Sequence, residues 1–98
     1  MSMISPAALK DKLNQDGVLV IDVREKWEYE ELNIGAKNIP LTKLPEKLTD
    51  LNDHKSSEII VHCQSGKRSN QAMKYLCKHG FSNVKSVEGG LKAYLEEA

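Results

Sequence analysis

The run His62-Cys63-Gln64-Ser65-Gly66-Lys67-Arg68-Ser69 is the part of this chain whose residue types and spacing best suit chemistry. It puts a thiol at the end of an apolar, strand-like segment and just ahead of a segment with helical spacing. Backbone N–H groups of a loop turning into a helix converge on one point, and with the helix dipole they favour an anion there. Gly66 eases the curl because glycine takes positive φ without steric cost. A free thiol has a pKa of about 8.5, and sites near helix N-termini and cationic side chains lower it by one to several units. Cys63 is therefore the candidate nucleophile, and Gln64, Ser65, Gly66, Lys67, Arg68 and Ser69 form the loop expected to bind substrate.

A cysteine ending a buried strand is often only a small inert hydrophobe. The polar, cationic and flexible residues after Cys63 argue against that reading, because a core position would continue apolar. Cys77 is the reverse case: it shares a helix face with Met73 and Leu76 and is expected to pack. Lys67 has a stem long enough to hold a charge over the pocket mouth and draw in an anionic donor. Two orientations are open to Arg68, inward to the anion or outward to a carboxylate such as Asp22 or Glu28, and its fork of donors suits either. Asp22 and Arg24 follow a strand and are expected to brace the loop, although Asp in that place is often a turn residue. Ser65 and Ser69 offer hydroxyls, and Ser69 is also a candidate helix cap. Alternation along the strand points His62 away from Cys63, so it is not assigned as a general base. His54 and His79 have no evident role.

These residues need elements to hold them. Ser5-Pro6 is a helix start, with Leu9 and Leu13 on one face and Gly17 as its end. Val18-Leu19-Val20-Ile21 reads as a strand covered on both faces, and in parallel sheets chemistry gathers at strand C-termini, here Asp22, Val23 and Arg24. A short charged helix is expected around Glu25 to Leu32, then a turn at Gly35 and a small strand at Lys37 to Ile39, stopped by Pro40. The spacing of Leu44, Leu48 and Leu51 predicts an amphipathic helix after Thr42, with Pro45 tolerable only in its first turn. Glu58 to His62 is the second clear strand and runs straight into Cys63. A helix then carries Ala72, Met73, Leu76 and Cys77, with Gly80 placed for a C-terminal cap. Val84 to Val87 offers a last strand, and Gly89-Gly90 opens an amphipathic segment through Leu95. Strands alternating with helices predict an α/β fold, a central parallel sheet of four to five strands with helices on both faces.

Composition sets the outer bounds. Ninety-eight residues with 40% hydrophobic and 29% charged content fit one soluble globular domain, residues 1–98. Fourteen basic and fourteen acidic residues leave no net charge to attract nucleic acid or anionic lipid, so neither is an expected partner. No apolar stretch approaches the roughly 20 residues of a membrane span, and the first residues do not read as a secretion signal, so the cytoplasm is the expected compartment. Two cysteines are too few for a disulfide framework, and no Cys or His falls around them at zinc-site spacing. No metal and no organic cofactor is expected.

Three motifs in order, VLVIDVREKWEYEELNIGAKNIPL, CQSGKRS and VEGGLKAY, resemble the rhodanese homology domain over nearly the whole chain. In that family a strand ends in Asp-x-Arg, a Gly-Ala-x-Asn-Ile-Pro segment follows, and the reactive loop reads Cys-x-x-Gly-x-Arg-Ser. The resemblance implies a five-stranded parallel sheet, whose fifth member would be an edge strand near Met3-Ile4. It departs from many active relatives at Gln64, where they carry Arg, at Asn33, where they carry His, and at Tyr94, where Trp is common. Gln64 removes one fixed positive charge from the pocket.

The implied activity is a sulfurtransferase, moving a sulfane sulfur from a small anionic donor such as thiosulfate, through a Cys63 persulfide, to a thiol, cyanide or protein-thiol acceptor. Covalent catalysis divides one difficult transfer into two easier ones. Two other classes use the same features. A cysteine phosphatase or arsenate reductase of related fold also places a thiolate in a nest of N–H groups, but its signature is one residue longer than the span from Cys63 to Arg68. A sulfur carrier or regulatory binding module would keep the fold with little thiosulfate activity.

Overall fold

The computed structural model describes residues 2–97, in which five strands alternate with helices: β1 (Ser2–Ile4), α1 (Pro6–Lys12), β2 (Val18–Asp22), α2 (Lys26–Glu31), β3 (Lys37–Asn38), α3 (Leu44–Lys47), β4 (Glu58–His62), α4 (Lys67–Lys78), β5 (Val84–Val87) and α5 (Gly90–Glu97). All strand pairs are parallel, in the order β1-β5-β4-β2-β3. The strand that leads into Cys63 is thus the middle one. Its register against β2 begins with Glu58 opposite Val18 and ends with His62 opposite Asp22.

Alternation along the strands makes two cores. Ile21, Ile59, Val61 and Val84 pack beneath Ala72, Met73 and Leu76 of α4 and Leu44 of α3. Val20, Ile60 and Val87 point the other way, onto Leu9 of α1 and Tyr94 of α5. Helices therefore cover both faces of the sheet, and a strand buried on both sides must be apolar at consecutive positions, as β2 and β4 are. The expected edge strand near Met3-Ile4 is present as β1, paired with β5 through Ile4 opposite Val87.

Local signals at helix ends act as their chemistry requires. Ser5 accepts the Ala8 N–H at 3.1 Å, and Pro6 follows in the first turn. Helix α1 stops at Lys12, earlier than Gly17, because the chain leaves it through a turn in which Gln15 N–H donates to the Lys12 carbonyl; Gly17, at φ 82°, serves the approach to β2. At the other end of α4, Gly80 N–H donates to Cys77 and Phe81 N–H to Leu76, the paired bonds of a Schellman cap, with Gly80 at φ 96°.

The segment after Thr42 differs from expectation. A single amphipathic helix through Leu51 does not form; a 3-10 turn (Leu41–Lys43), the four-residue α3 and a second 3-10 turn (Asn52–His54) take its place. Leu44 and Leu51 are still buried against the α4 side of the sheet, with Leu48 partly covered. The leucine spacing records which side chains face the core, and short turns satisfy it as well as a helix does. Among the described residues no helix is long and apolar enough to cross a membrane.

Candidate active site

Cys63 leaves β4 at the C-terminal edge of the sheet and opens a loop that closes into α4 at Gly66. Gly66 is the residue before the first turn of α4 and has φ 106°, a conformation that a side chain would strain. That curl turns backbone donors onto the sulfur. Gly66 N–H lies 3.1 Å and Ser69 N–H 3.3 Å from Cys63 Sγ, and Ser69 Oγ stands 3.6 Å away. Cys63 is only 1% exposed, and burial by itself pushes a thiol up. The donors outweigh it: the N–H and hydroxyl of Ser69 and the N–H groups of Gly66 and Ser65 bring the thiol below its ordinary value.

The outer side of the loop is held as firmly as the inner. Carbonyls of Cys63 and Gln64 accept N–H groups of Leu91 (2.8 Å) and Lys92 (3.2 Å) in the first turn of α5. In a planar trans peptide the N–H points opposite to the C=O, so fixing the Gln64 carbonyl outward aims the Ser65 N–H inward. Close approach of α5 depends on Gly90, at φ 63°, where a Cβ would stand 2.6 Å from the Cys63 carbonyl oxygen and 2.7 Å from Gln64 backbone atoms.

Across residues 5–97 the sequence matches the rhodanese-like domain family. The chain belongs to that family. It is 44% identical over 93 residues to the putative sulfurtransferase YtwF of Bacillus subtilis, covering 93% of this chain and 87% of that protein. Similarity to the putative sulfur carrier protein YrkF of the same organism is 38% over 91 residues, 91% of this chain but only 48% of YrkF. A tRNA uridine(34) hydroxylase of Cytophaga hutchinsonii is 28% identical over 93% of this chain, which spans 30% of that longer protein. Among solved structures, a rhodanese-related protein from Thermoplasma volcanium superposes with a TM-score of 0.87 at 32% identity, covering all of this chain and 94% of the other.

In this rhodanese-like loop the polar residues separate into three groups. Gly66, Ser69 and the backbone of Ser65 face the sulfur. Gln64, Ser65 and Lys67 are exposed around the mouth, and Lys67 makes none of the described ion pairs. Arg68 turns away from the sulfur and forms a bidentate pair with Glu28, at 2.6 and 3.0 Å. That pair holds the Glu28 carboxyl down at about 2 and raises Arg68. Of the two carboxylates open to Arg68 from the sequence, Asp22 is already engaged. Ser69 is not the helix cap either, since Gly66 occupies that place; the Ser69 hydroxyl sits in the first turn, donating to the Gly66 carbonyl at 3.1 Å or to its other neighbours.

Asp22 and Arg24 form a buried ion pair, with Arg24 Nη2 at 2.8 Å and Nε at 3.1 Å from the carboxylate. Arg24 also donates to the Leu32 carbonyl at 2.6 Å, so the pair fixes the chain around α2. Its link to the Cys63 loop is indirect, through Glu28 and Arg68. His62 lies on the opposite sheet face from the Cys63 side chain, fully buried, 3.8 Å from Asp22 Oδ2, with both ring nitrogens lacking a hydrogen-bond partner. Burial holds its imidazole below the ordinary range, and Arg24 adds to that while Asp22 opposes it. Cys77 is partly buried against the α4-side core and, like Cys63, unpaired.

Two contributors escape a reading of the sequence. Ser86, fully buried on β5, places its Oγ 2.7 Å from Ser69 Oγ. Its only signal is a small polar residue between Lys85 and Val87 in a short strand, which by itself marks no site. Gly90 shows in the Gly89-Gly90 pair, but the backbone it must admit lies nearly thirty residues earlier in the chain.

Proposed function

We propose that Cys63 carries sulfane sulfur, and that residues 1–98 act as one sulfurtransferase domain in a reducing, cytoplasmic setting. The thiolate attacks the outer sulfur of a donor such as thiosulfate; a new S–S bond forms to Cys63 as the donor's S–S bond breaks, and sulfite leaves with the electron pair. A thiolate or cyanide acceptor then attacks the outer sulfur and returns Cys63 to a thiolate. No net oxidation occurs in either step. Gly66, Ser65 and Ser69 stabilise the negative charge in both states with preset donors, Lys67 and Gln64 receive the anionic donor at the mouth, and Asp22, Arg24 and the Glu28–Arg68 pair hold the loop in shape. The observation that carries this reading is the pair of N–H groups on the sulfur of an almost wholly buried thiol.

A sulfur carrier served by proteins is the second reading, favoured by Arg68, whose charge is engaged by Glu28 and leaves Lys67 as the loop's unpaired cation. The names of YtwF and YrkF support sulfur transfer in general and do not choose a donor. The test is direct. After excess thiosulfate and removal of small molecules, intact mass gains one sulfur on the peptide holding Cys63 and none on that holding Cys77, and cyanide strips it. Loading by a persulfidated protein but not by thiosulfate selects the carrier reading, and turnover retained in Cys63→Ser ends both.

A further inference from the structure

Four large apolar side chains stand well exposed among the described residues, and two of them, Trp27 (63%) and Leu32 (51%), line one recess beside the Cys63 loop. With Arg24, Glu28, Glu31 and Gln64 they line a surface recess of about 280 Å³. Gln64 is the residue after Cys63, so the recess opens next to the mouth of the thiol. Its floor is rigid, because the buried Asp22–Arg24 pair holds the Leu32 carbonyl at 2.6 Å and the Glu28–Arg68 pair ties α2 to α4. Apolar groups held open to water at such a place mark a binding surface, and a surface already shaped loses less freedom when occupied.

Charge decides what suits it. Glu28 is neutralised by Arg68, which leaves Glu31 as the exposed carboxylate of the recess; Glu25 and Glu30 line a separate recess with Lys26, Lys43 and Lys47. Glu31 lines the recess itself and makes none of the described ion pairs. The chain as a whole is neutral, so this acidity is local. A small anionic sulfur donor is repelled by Glu31 and has no use for an indole, so it is received on the Lys67 side of the mouth; a polyanion such as RNA is repelled more strongly. A polypeptide with a basic side chain near an apolar one matches both features.

We infer that this recess seats an extended segment of a partner protein whose cysteine thiolate takes the outer sulfur from Cys63, with an apolar side chain against Trp27 and Leu32 and a lysine or arginine against Glu31. The inference rests on the persulfide reading of Cys63. In the transfer the partner's thiolate bonds to the outer sulfur, the S–S bond to Cys63 breaks, and Cys63 leaves as a thiolate, so sulfur moves with no outside oxidant or reductant. Anionic donors enter past Lys67, and the protein acceptor lies along α2.

Trp27 is the sole tryptophan of the chain, which supplies a readout that does not depend on sulfur. The probes are two synthetic peptides with Leu beside Cys, one carrying Arg and the other Glu at the next position, and versions of both with Ser for Cys. Binding of the Arg–Ser peptide to the unloaded protein shifts Trp27 emission to the blue as the indole leaves water, and the Glu–Ser peptide does so only at much higher concentration. On protein preloaded with sulfur, the Arg–Cys peptide is expected to discharge Cys63 roughly five-fold or more faster than the Glu–Cys peptide, from the gain of one charge pair and loss of one repulsion. Glu31→Lys reverses that order, and Trp27→Ser lowers the ratio of peptide to cyanide discharge. Equal rates for the two peptides, no emission shift, or a Trp27→Ser variant that slows cyanide and peptide alike overturns the docking surface. A clear emission shift with no sulfur ever loaded on Cys63 instead overturns the persulfide reading and leaves the recess as a peptide site.

Discussion

Ser86 Oγ and Ser69 Oγ lie 2.7 Å apart beside the Cys63 sulfur, joining the first turn of α4 to β5 by a buried hydroxyl pair. Ser69 has one hydroxyl proton and three neighbours for it: the Gly66 carbonyl, Ser86 and Cys63 Sγ. When Ser86 donates to Ser69, the Ser69 proton is released toward the sulfur or the Gly66 carbonyl. Ser86→Ala is therefore expected to raise the midpoint of Cys63 alkylation against pH and to lower stability by about 1 kcal/mol, the usual worth of one buried hydrogen bond. Ser86→Thr, which keeps the hydroxyl, restores the midpoint. An unchanged midpoint in the alanine variant means the pair only fills space.

The Glu28–Arg68 pair has a defined pH window. Glu28 is lowered to about 2 in the folded chain, so its contribution is complete above the ordinary carboxylate range and is lost as pH falls toward 2. Because both side chains remain partly exposed, the pair is worth about 0.5–1 kcal/mol at neutral pH. The stability gap between the parent and Glu28→Gln, measured by urea unfolding, should hold down to about pH 4.5 and close by about pH 2. A gap that closes near the ordinary carboxylate value would show that Arg68 does not hold the carboxylate.

Gly90→Ala should be the most damaging small substitution. Two glycines with positive φ separate strain from collision: an added Cβ at Gly17 (φ 82°) meets nothing within 4 Å, whereas at Gly90 (φ 63°) it meets the Cys63 carbonyl at 2.6 Å. We expect Gly17→Ala to cost about 1–2 kcal/mol from backbone strain and Gly90→Ala roughly 3 kcal/mol, with slower Cys63 alkylation at pH 7 because α5 is pushed off the loop. Equal costs at the two positions would mean that α5 can shift freely.

His62 makes acid stability its readout. Its folded pKa is lowered by burial, so below the ordinary imidazole value the unfolded chain binds more protons and stability falls as pH drops from about 7 to 5. Replacing both unpartnered nitrogens in His62→Leu removes that slope and raises stability by about 1–2 kcal/mol at pH 6, provided Asp22 keeps its pair with Arg24. A variant as acid-sensitive as the parent would place the proton elsewhere.

Residues close together in the chain carried the local part of the site. Cys63 at the end of an apolar run, Gly66 at the curl, and helical spacing from Ser69 gave strand, loop and helix around one sulfur, and the cap signals at Ser5 and Gly80 act where they were read. The leucine spacing after Thr42 marked buried positions correctly and the conformation wrongly, since burial periodicity does not distinguish one helix from a series of short turns. The pairing of Arg68 with Glu28, forty residues away, and the place of Ser86 beside Ser69 arise only on folding, whereas Arg24 takes up Asp22 from two residues along the chain. The two distant contacts depend on which strands lie side by side: β4 between β2 and β5 brings Asp22 next to His62 and Ser86 next to Val61. Gly90 shows the same division most sharply. A pair of glycines was visible in the chain, but the need for one of them arises from a carbonyl of Cys63 that reaches it only when the sheet is assembled.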